Sequence, residues 1–396
     1  MNIFIAILIF SVIVIIHELG HFSLAKANKV DVIEFSLGMG PRICTWVKIK
    51  EGMKFFLFAS TKKLESNEGI AGHTWYSIKL LPIGGSCMML GEEEAVESEN
   101  AFNKKGVLAR MSVIFAGPFF NFVLAFILAL IIVAANGYDK PMISRVMPNQ
   151  PMAEAGFQGG DIITKINNTN IVINREISTY LQFHKLNGDP VEITAERNGE
   201  EITRTVIPVP AKELVKSDES SSEQDLTAKG YPSSKEGMSV YGYQLGFYYS
   251  AEREKVDVLG TIKYAAYELK YWIWTTVESL GQLIGGKVSA NDISGPVGIV
   301  KVVSDTIEGN SQFGFSAVAL TVLSISILLT ANLGVMNLLP IPALDGGRLV
   351  LLIVEGIRRK PNNPKLEGTI NFVGFAALMA LMVFIVFNDI LKIVGG

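Results

Sequence analysis

Cysteine is scarce: the 396 residues contain two, Cys44 and Cys87. So few exclude a disulfide framework, and both fall in a stretch assigned below to the cytoplasm, where thiols stay reduced. Charge is thin too, at 18% of residues against roughly 25% in an ordinary globular chain, and the net formal charge is only −3. No basic excess exists to form a nucleic-acid-binding face. The first apolar run, 2–16, has no Lys or Arg before it. That argues against a secretory leader, although "AKA" at 25–27 offers a small-residue cleavage pattern. A nucleotide-binding glycine loop is lacking as well: "FSLGMGP" at 35–41 has neither a third glycine nor a following helix.

What the chain has in quantity is apolar sequence, 49% of all residues. A bilayer core of about 30 Å takes roughly 20 helical residues to cross. Four stretches qualify, at about 3–24, 107–135, 315–338 and 370–392. The loop between the first two carries Lys26, Lys29, Arg42, Lys48, Lys50, Lys54, Lys62, Lys63, Lys79, Lys104 and Lys105, and the loop between the last two carries Arg358, Arg359, Lys360 and Lys365. Basic loops stay on the cytoplasmic side. Both termini and the long segment 136–314 are then expected outside. Residues 256–290 tempt a fifth span, but Lys263, Glu268, Lys270 and Glu278 interrupt them, with Tyr and Trp interleaved. An interfacial amphipathic helix fits that pattern better.

Within 140–250, "PVEITAERNGEEITRTVIPV" (190–209) alternates about Asn198–Gly199, a strong hairpin signal. The segment 146–173 suggests a short helix, a turn at Gly159–Gly160–Asp161 and a strand through Ile163 and Ile166. Residues 211–237 are acidic and serine-rich and read as a flexible insertion, and 238–249 as a returning strand.

The chemistry begins inside the first span, where "HELGH" places His17, Glu18 and His21 behind a run of apolar residues. Ionisable groups are costly in a bilayer, so their presence there points to function. Residues four apart share a helix face, so His17 and His21 can offer ring nitrogens to one ion, while Glu18 is offset toward a metal-bound water. Two ligands, a carboxylate base and an open position are what a zinc hydrolase needs. A metal-transport or haem site would call for polar residues in several spans, and the second and fourth have few. The third ligand expected from matching depth is Asp345 in "NLGVMNLLPIPALDGGRLV" (332–350), on irregular backbone after Pro340 and Pro342.

"HELGHFSLAK", "FSLGMGP", "LPIGGSCMMLGE" (81–92), "FAGPFFNF" (115–122), "SGPVGI" (294–299) and "NLLPIPALDGGR" (337–348) occur in one order along almost the whole chain. Together they resemble the bacterial site-2 protease family. More closely, they are similar to the PDZ-containing intramembrane zinc metalloproteases typified by the regulator of the sigma-E response, in the one-PDZ form. The resemblance implies a polytopic α-helical membrane protein with four transmembrane helices, a membrane-reentrant β-loop region and one extracytoplasmic PDZ domain (α+β). Its parts would be a membrane domain 1–135 with a cytoplasmic loop and reentrant β-region at 30–95, the PDZ domain at 140–250, the interfacial helix at 256–290 and the rest of the membrane domain at 291–396. It implies that Zn2+ is bound by His17, His21 and Asp345 with Glu18 as base, that Asn337 positions substrate, and that Gly84 and Gly85 belong to the β-loop that meets substrate as an extended strand. After those glycines, "SCMML" departs from the family's usual run. The implied partners are a single-span membrane protein substrate, the lipid bilayer and an upstream site-1 type protease, with no nucleic acid or nucleotide. The implied location is the bacterial cytoplasmic membrane, multi-pass, with the active site toward the cytoplasm and the PDZ domain outside as a size filter. A membrane-tethered PDZ adaptor with a vestigial metal site is the alternative, which the intact Glu18 disfavours. "AGPFFN" and "SGPVGI" alone read as Gly-Pro packing elements.

Overall fold

The first helix, α1 (Asn2–Ala27), is apolar up to His17, Glu18 and His21, and in its last turn Lys26 meets the negative end of the helix dipole. It stops because Lys29 turns left-handed (φ 56°), which lets Val30 N–H reach back to Ala25 O at 2.8 Å. The structure, a computed structural model, describes residues 2–92, 94, 96–214, 238–250, 252–286 and 295–395. The chain continues through β1 (Val32–Ile49), β2 (Gly52–Leu57), α2 (Thr61–Glu65), β3 (Trp75–Met89) and α3 (Val107–Asn136). Next come β4 (Tyr138–Asp139), β5 (Ile143–Val146), α4 (Pro151–Glu154), β6 (Ile162–Ile166), β7 (Thr169–Asn170) and α5 (Arg175–Phe183). Then follow β8 (Val191–Arg197), β9 (Glu200–Val206), β10 (Val209–Leu214), β11 (Met238–Gln244), β12 (Phe247–Tyr249) and β13 (Arg253–Glu254). The last part is helical: α6 (Val258–Ile284), α7 (Pro296–Ser311), α8 (Phe315–Asn337), α9 (Asp345–Arg358) and α10 (Pro364–Gly395). These elements form two compact units, Met1–Ile132 with Trp272–Gly396, and Val133–Tyr271.

Among the described residues, four helices are long and apolar enough to cross a membrane: Phe4–Ala27, Val107–Asn136, Phe315–Asn337 and Lys365–Leu391. These are the four stretches expected. The third ends at Asn337, so it does not carry Asp345. A sheet of β1, β2 and β3 accompanies them. Glu34 and Leu37 of β1 each register with two partners, Met88 and Trp75 for the first, Gly85 and Ile78 for the second. The later limb of β1, 44–47, registers with 75–78 and also with β2. Residues 85–89 therefore lie beyond 32–37, at one edge of the sheet.

The second unit packs β7-β6-β8-β9 and three two-stranded ladders around Ile143, Met152, Phe157, Ile163, Ile177 and Ile193. The hairpin at Asn198–Gly199 is present, with φ of 52° and 84° closing β8 onto β9. Asp161, next to the glycine turn, receives Arg197 on both oxygens, at 2.6 and 2.7 Å.

Three expectations need correction. The returning strand 238–249 is two strands, broken at Leu245–Gly246, where the glycine takes φ 79° and a β-carbon would lie 2.3 Å from Gln150 Cβ. The helix expected at 256–290 runs from Val258 to Ile284, and a separate α7 follows, whose polar residues hid it among apolar neighbours. Asp345 is not on irregular backbone: it is the first residue of α9, with the irregular stretch 338–344 before it. Most of the acidic insertion, 215–237, lies outside the described residues.

Candidate metal centre

Helical spacing puts His17 and His21 on one face of α1, their rings edge to face with centroids 4.8 Å apart and Nε2 atoms 3.1 Å apart. Asp345 arrives from the far end of the sequence, its Oδ2 3.2 Å from His17 Nε2 and 3.5 Å from His21 Nε2. The three ligand atoms all lie within 4.8 Å of one another. Each histidine is 8% exposed.

This donor set fits a zinc ion: two imidazole nitrogens and one carboxylate oxygen converge, and the rings are held from behind, as metal-binding histidines require. The partner of His21 is the carbonyl of Val113, 2.9 Å from Nδ1. A carbonyl can only accept, so Nδ1 carries the proton and Nε2 presents its lone pair toward Asp345. The partner of His17 is Asn121, whose Nδ2 lies 3.1 Å from His17 Nδ1.

Close approach is made possible by glycine. A β-carbon on Gly117 would lie 2.3 Å from His21 Nε2 and 2.8 Å from His17 Cε1, and one on Gly20 would lie 2.3 Å from Ala116 O. The "LDGG" pair works the same way. Ala343 takes φ 73°, folding 338–342 back onto the start of α9, where β-carbons on Gly346 and Gly347 would meet Leu339 O at 2.2 Å and Ile341 O at 2.3 Å. That fold-back is what delivers Asp345 to the histidines at the positive end of a helix, a favourable place for a carboxylate.

Beside the cluster is a cavity of about 630 Å³ whose wall includes His17, Glu18, His21, Gly85, Asp345 and Arg348. Glu18 thus faces the same space as the three ligand candidates. Its Cγ is 3.1 Å from where a β-carbon of Gly85 would stand. Gly84, at φ 81°, packs under Met39 and is not part of the wall. Asn337 ends α8, half-buried, and does not line the cavity either. The structure therefore brings together five of the seven expected residues, Gly85 included.

Sequence reasoning passed over Val113, Gly117 and Asn121, treating "AGPFFN" as packing. They recur every fourth residue on α3, the helical row that faces His17 and His21. A signal was present: an asparagine deep in an apolar span is costly unless it has a partner.

Two comparisons extend these findings. Residues 5–381 match Peptidase family M50. A protein of Clostridium acetobutylicum, provisionally named a zinc metalloprotease, is 34% identical over 390 residues, 98% of this chain and 97% of that protein. The zinc metalloprotease RasP of Geobacillus kaustophilus is 28% identical over 467 aligned positions, covering 98% of this chain and 97% of its own. With a family match over nearly its whole length and that cluster at its centre, the chain belongs to peptidase family M50.

Proposed function

We propose that the chain is a zinc endopeptidase that cuts transmembrane segments, with the ion on His17, His21 and Asp345 and with Glu18 as general base. The reading is carried by one observation: three ligand atoms within 4.8 Å of one another share a cavity wall with Glu18. Membership of peptidase family M50 and relatives named zinc metalloproteases support it. Zinc, when bound, supplies Lewis-acid polarisation of the scissile carbonyl and acidifies water. Glu18 takes the proton of the attacking water and returns it to the leaving nitrogen. His17, His21 and Asp345 fix the position at which that happens.

The substrate is a single-span membrane protein. Its scissile carbonyls are hidden in helical hydrogen bonds, so it must be held extended while it is cut. The outer edge of 85–89, which pairs with no further strand among the described residues, offers replacement bonds in the manner of strand addition, its Met89 N–H exchanging Glu92 Oε2 for substrate and Gly85 leaving room beside Glu18. Gly84 and Asn337 act outside the cavity wall, the first by shaping the turn into that edge and the second by orienting the incoming strand.

The sheet itself dips into lipid. Met39, Met53, Phe55, Leu57, Leu80 and Leu81 are exposed, a row of large apolar side chains that a sheet surrounded by water would cover. The unit Val133–Tyr271 is a PDZ domain outside the bacterial cytoplasmic membrane, admitting substrates already shortened by a site-1 type protease. The active site lies toward the cytoplasm, where water can reach it.

The test is cleavage of a model single-span substrate in liposomes. Glu18→Gln should lower the rate by ~10²–10⁴-fold, the usual worth of a general base, and 1,10-phenanthroline should abolish wild-type cleavage. Unimpaired cleavage by Glu18→Gln would remove Glu18 from the chemistry.

A further inference from the structure

Both ring nitrogens that point away from Asp345 are held by one helix, α3, but in different ways. Val113 O can only accept, and so it sets His21 with the proton on Nδ1. Asn121 can donate or accept. It is fully buried, its Nδ2 is 3.1 Å from His17 Nδ1, and its Oδ1 has no hydrogen-bond partner among the described residues. The helix at that point is fixed independently, because the main-chain oxygen of Asn121 accepts from Thr330 Oγ1 at 3.2 Å.

With Nδ2 donating, His17 carries its proton on Nε2, the nitrogen that faces Asp345, and cannot give a lone pair to an ion. A half-turn of the amide about Cβ–Cγ exchanges the two heavy atoms without changing the volume filled. The unpartnered oxygen then faces Nδ1–H, and Nε2 becomes a ligand, matching His21.

We infer that Asn121 is the positioning residue of the metal centre: its side-chain carbonyl accepts from His17 Nδ1–H and thereby makes Nε2 the ligating nitrogen. The inference rests on the metal site proposed above. Asn121 touches neither substrate nor the ion, and acts only through His17. Partners of this kind typically contribute 10–100-fold in metal affinity.

The experiment measures zinc affinity of the purified full chain in detergent, by competition with a chromophoric chelator, so no substrate is needed. Asn121→Leu keeps the volume and removes the acceptor, and is expected to weaken zinc by about 10–100-fold. Asn121→Asp supplies an acceptor that cannot donate, and is expected to bind zinc as tightly as wild type or more tightly. A role confined to packing predicts the opposite for Asp, because a buried carboxylate without a proton partner is destabilising. If Asn121→Leu does not fold, Asn121→Asp decides alone, and a tenfold loss there overturns the assignment. His17→Ala separates the two levels. If it keeps wild-type affinity, the metal site itself is wrong. If it loses zinc while Asn121→Leu stays within twofold of wild type, only the role of Asn121 falls.

Discussion

A single missing methyl group on α3 governs whether the rings of His17 and His21 on α1 have room to pack against it. Alanine is better than glycine in a helix interior by roughly 1 kcal/mol, so Gly117→Ala should favour α3 taken alone. In place, its β-carbon would stand 2.3 Å from His21 Nε2 and 2.8 Å from His17 Cε1. The expected outcome is a protein that is expressed and inserted but retains less than a tenth of the wild-type zinc, read by metal analysis after gel filtration. Gly281→Ala is the control: that glycine lies in α6 with nothing among the described residues within 4 Å of the added carbon. There the substitution should be neutral or stabilising by about 0.5–1 kcal/mol, with zinc unchanged. Equal zinc in both variants would mean that the rings do not need the space Gly117 leaves.

The sheet of β1, β2 and β3 owes its shape to a polar seam as much as to its ladders. Glu34, 1% exposed, takes Arg42 Nε and Nη2 at 2.7 and 2.8 Å, one on each oxygen, and Lys79 Nζ lies 3.5 Å away. Arg42 also reaches Thr61 Oγ1 at the start of α2. The pair therefore ties the two parts of β1 to each other, and Lys79 adds β3. Removing one member of a buried pair costs about 3–5 kcal/mol, far more than a surface pair is worth. Glu34→Gln should lower the melting temperature in detergent by several degrees, and adding Arg42→Met should recover part of the loss by removing the stranded charge. If the single variant melts like wild type, the seam is not what holds the limbs together. Because this sheet carries the edge beside Glu18, its loss should also be felt as loss of zinc-dependent cleavage.

On the scale of the whole molecule, the unit Val133–Tyr271 has its own response to pH. Burial pushes the Asp161 carboxyl up, but the hydrogen bonds from Arg197 and from Gln158 N–H outweigh it and hold the group below the ordinary carboxylate value. Its contribution is present above that ordinary value and is lost as pH falls through the folded one. Glu268 is opposite in sign. Burial raises it to about 7, against the pull of Arg175, whose Nη1 is 3.1 Å away. An acid raised on folding favours the folded state below its unfolded pKa, near 4.5, and that contribution is lost as pH climbs to about 7. The slope is at most about 1.4 kcal/mol per pH unit. Amide exchange of β6 and β8 in the intact chain should therefore quicken between pH 5 and 7 beyond its intrinsic rise. Glu268→Gln should flatten that excess, and an excess that persists in the variant would take Glu268 out of the account.

The sequence by itself determined the elements whose signal is local. Four apolar runs long enough to span, the Asn198–Gly199 hairpin and the four-residue spacing of His17 and His21 are properties of short windows, and each was legible. Asp345 was within reach only through an argument about depth, and its place at the head of α9 was not, because that depends on Gly346 and Gly347 accepting the backbone of 338–342 at contact distance. The roles of Val113, Gly117 and Asn121 were decided by the tertiary structure alone. Their row on α3 acquires meaning only when α1 crosses it, and a crossing between residues about a hundred positions apart leaves no periodicity in either segment. Helix geometry fixes which side chains share a face, but packing decides what that face meets, and so chooses which nitrogen of a histidine is free to bind.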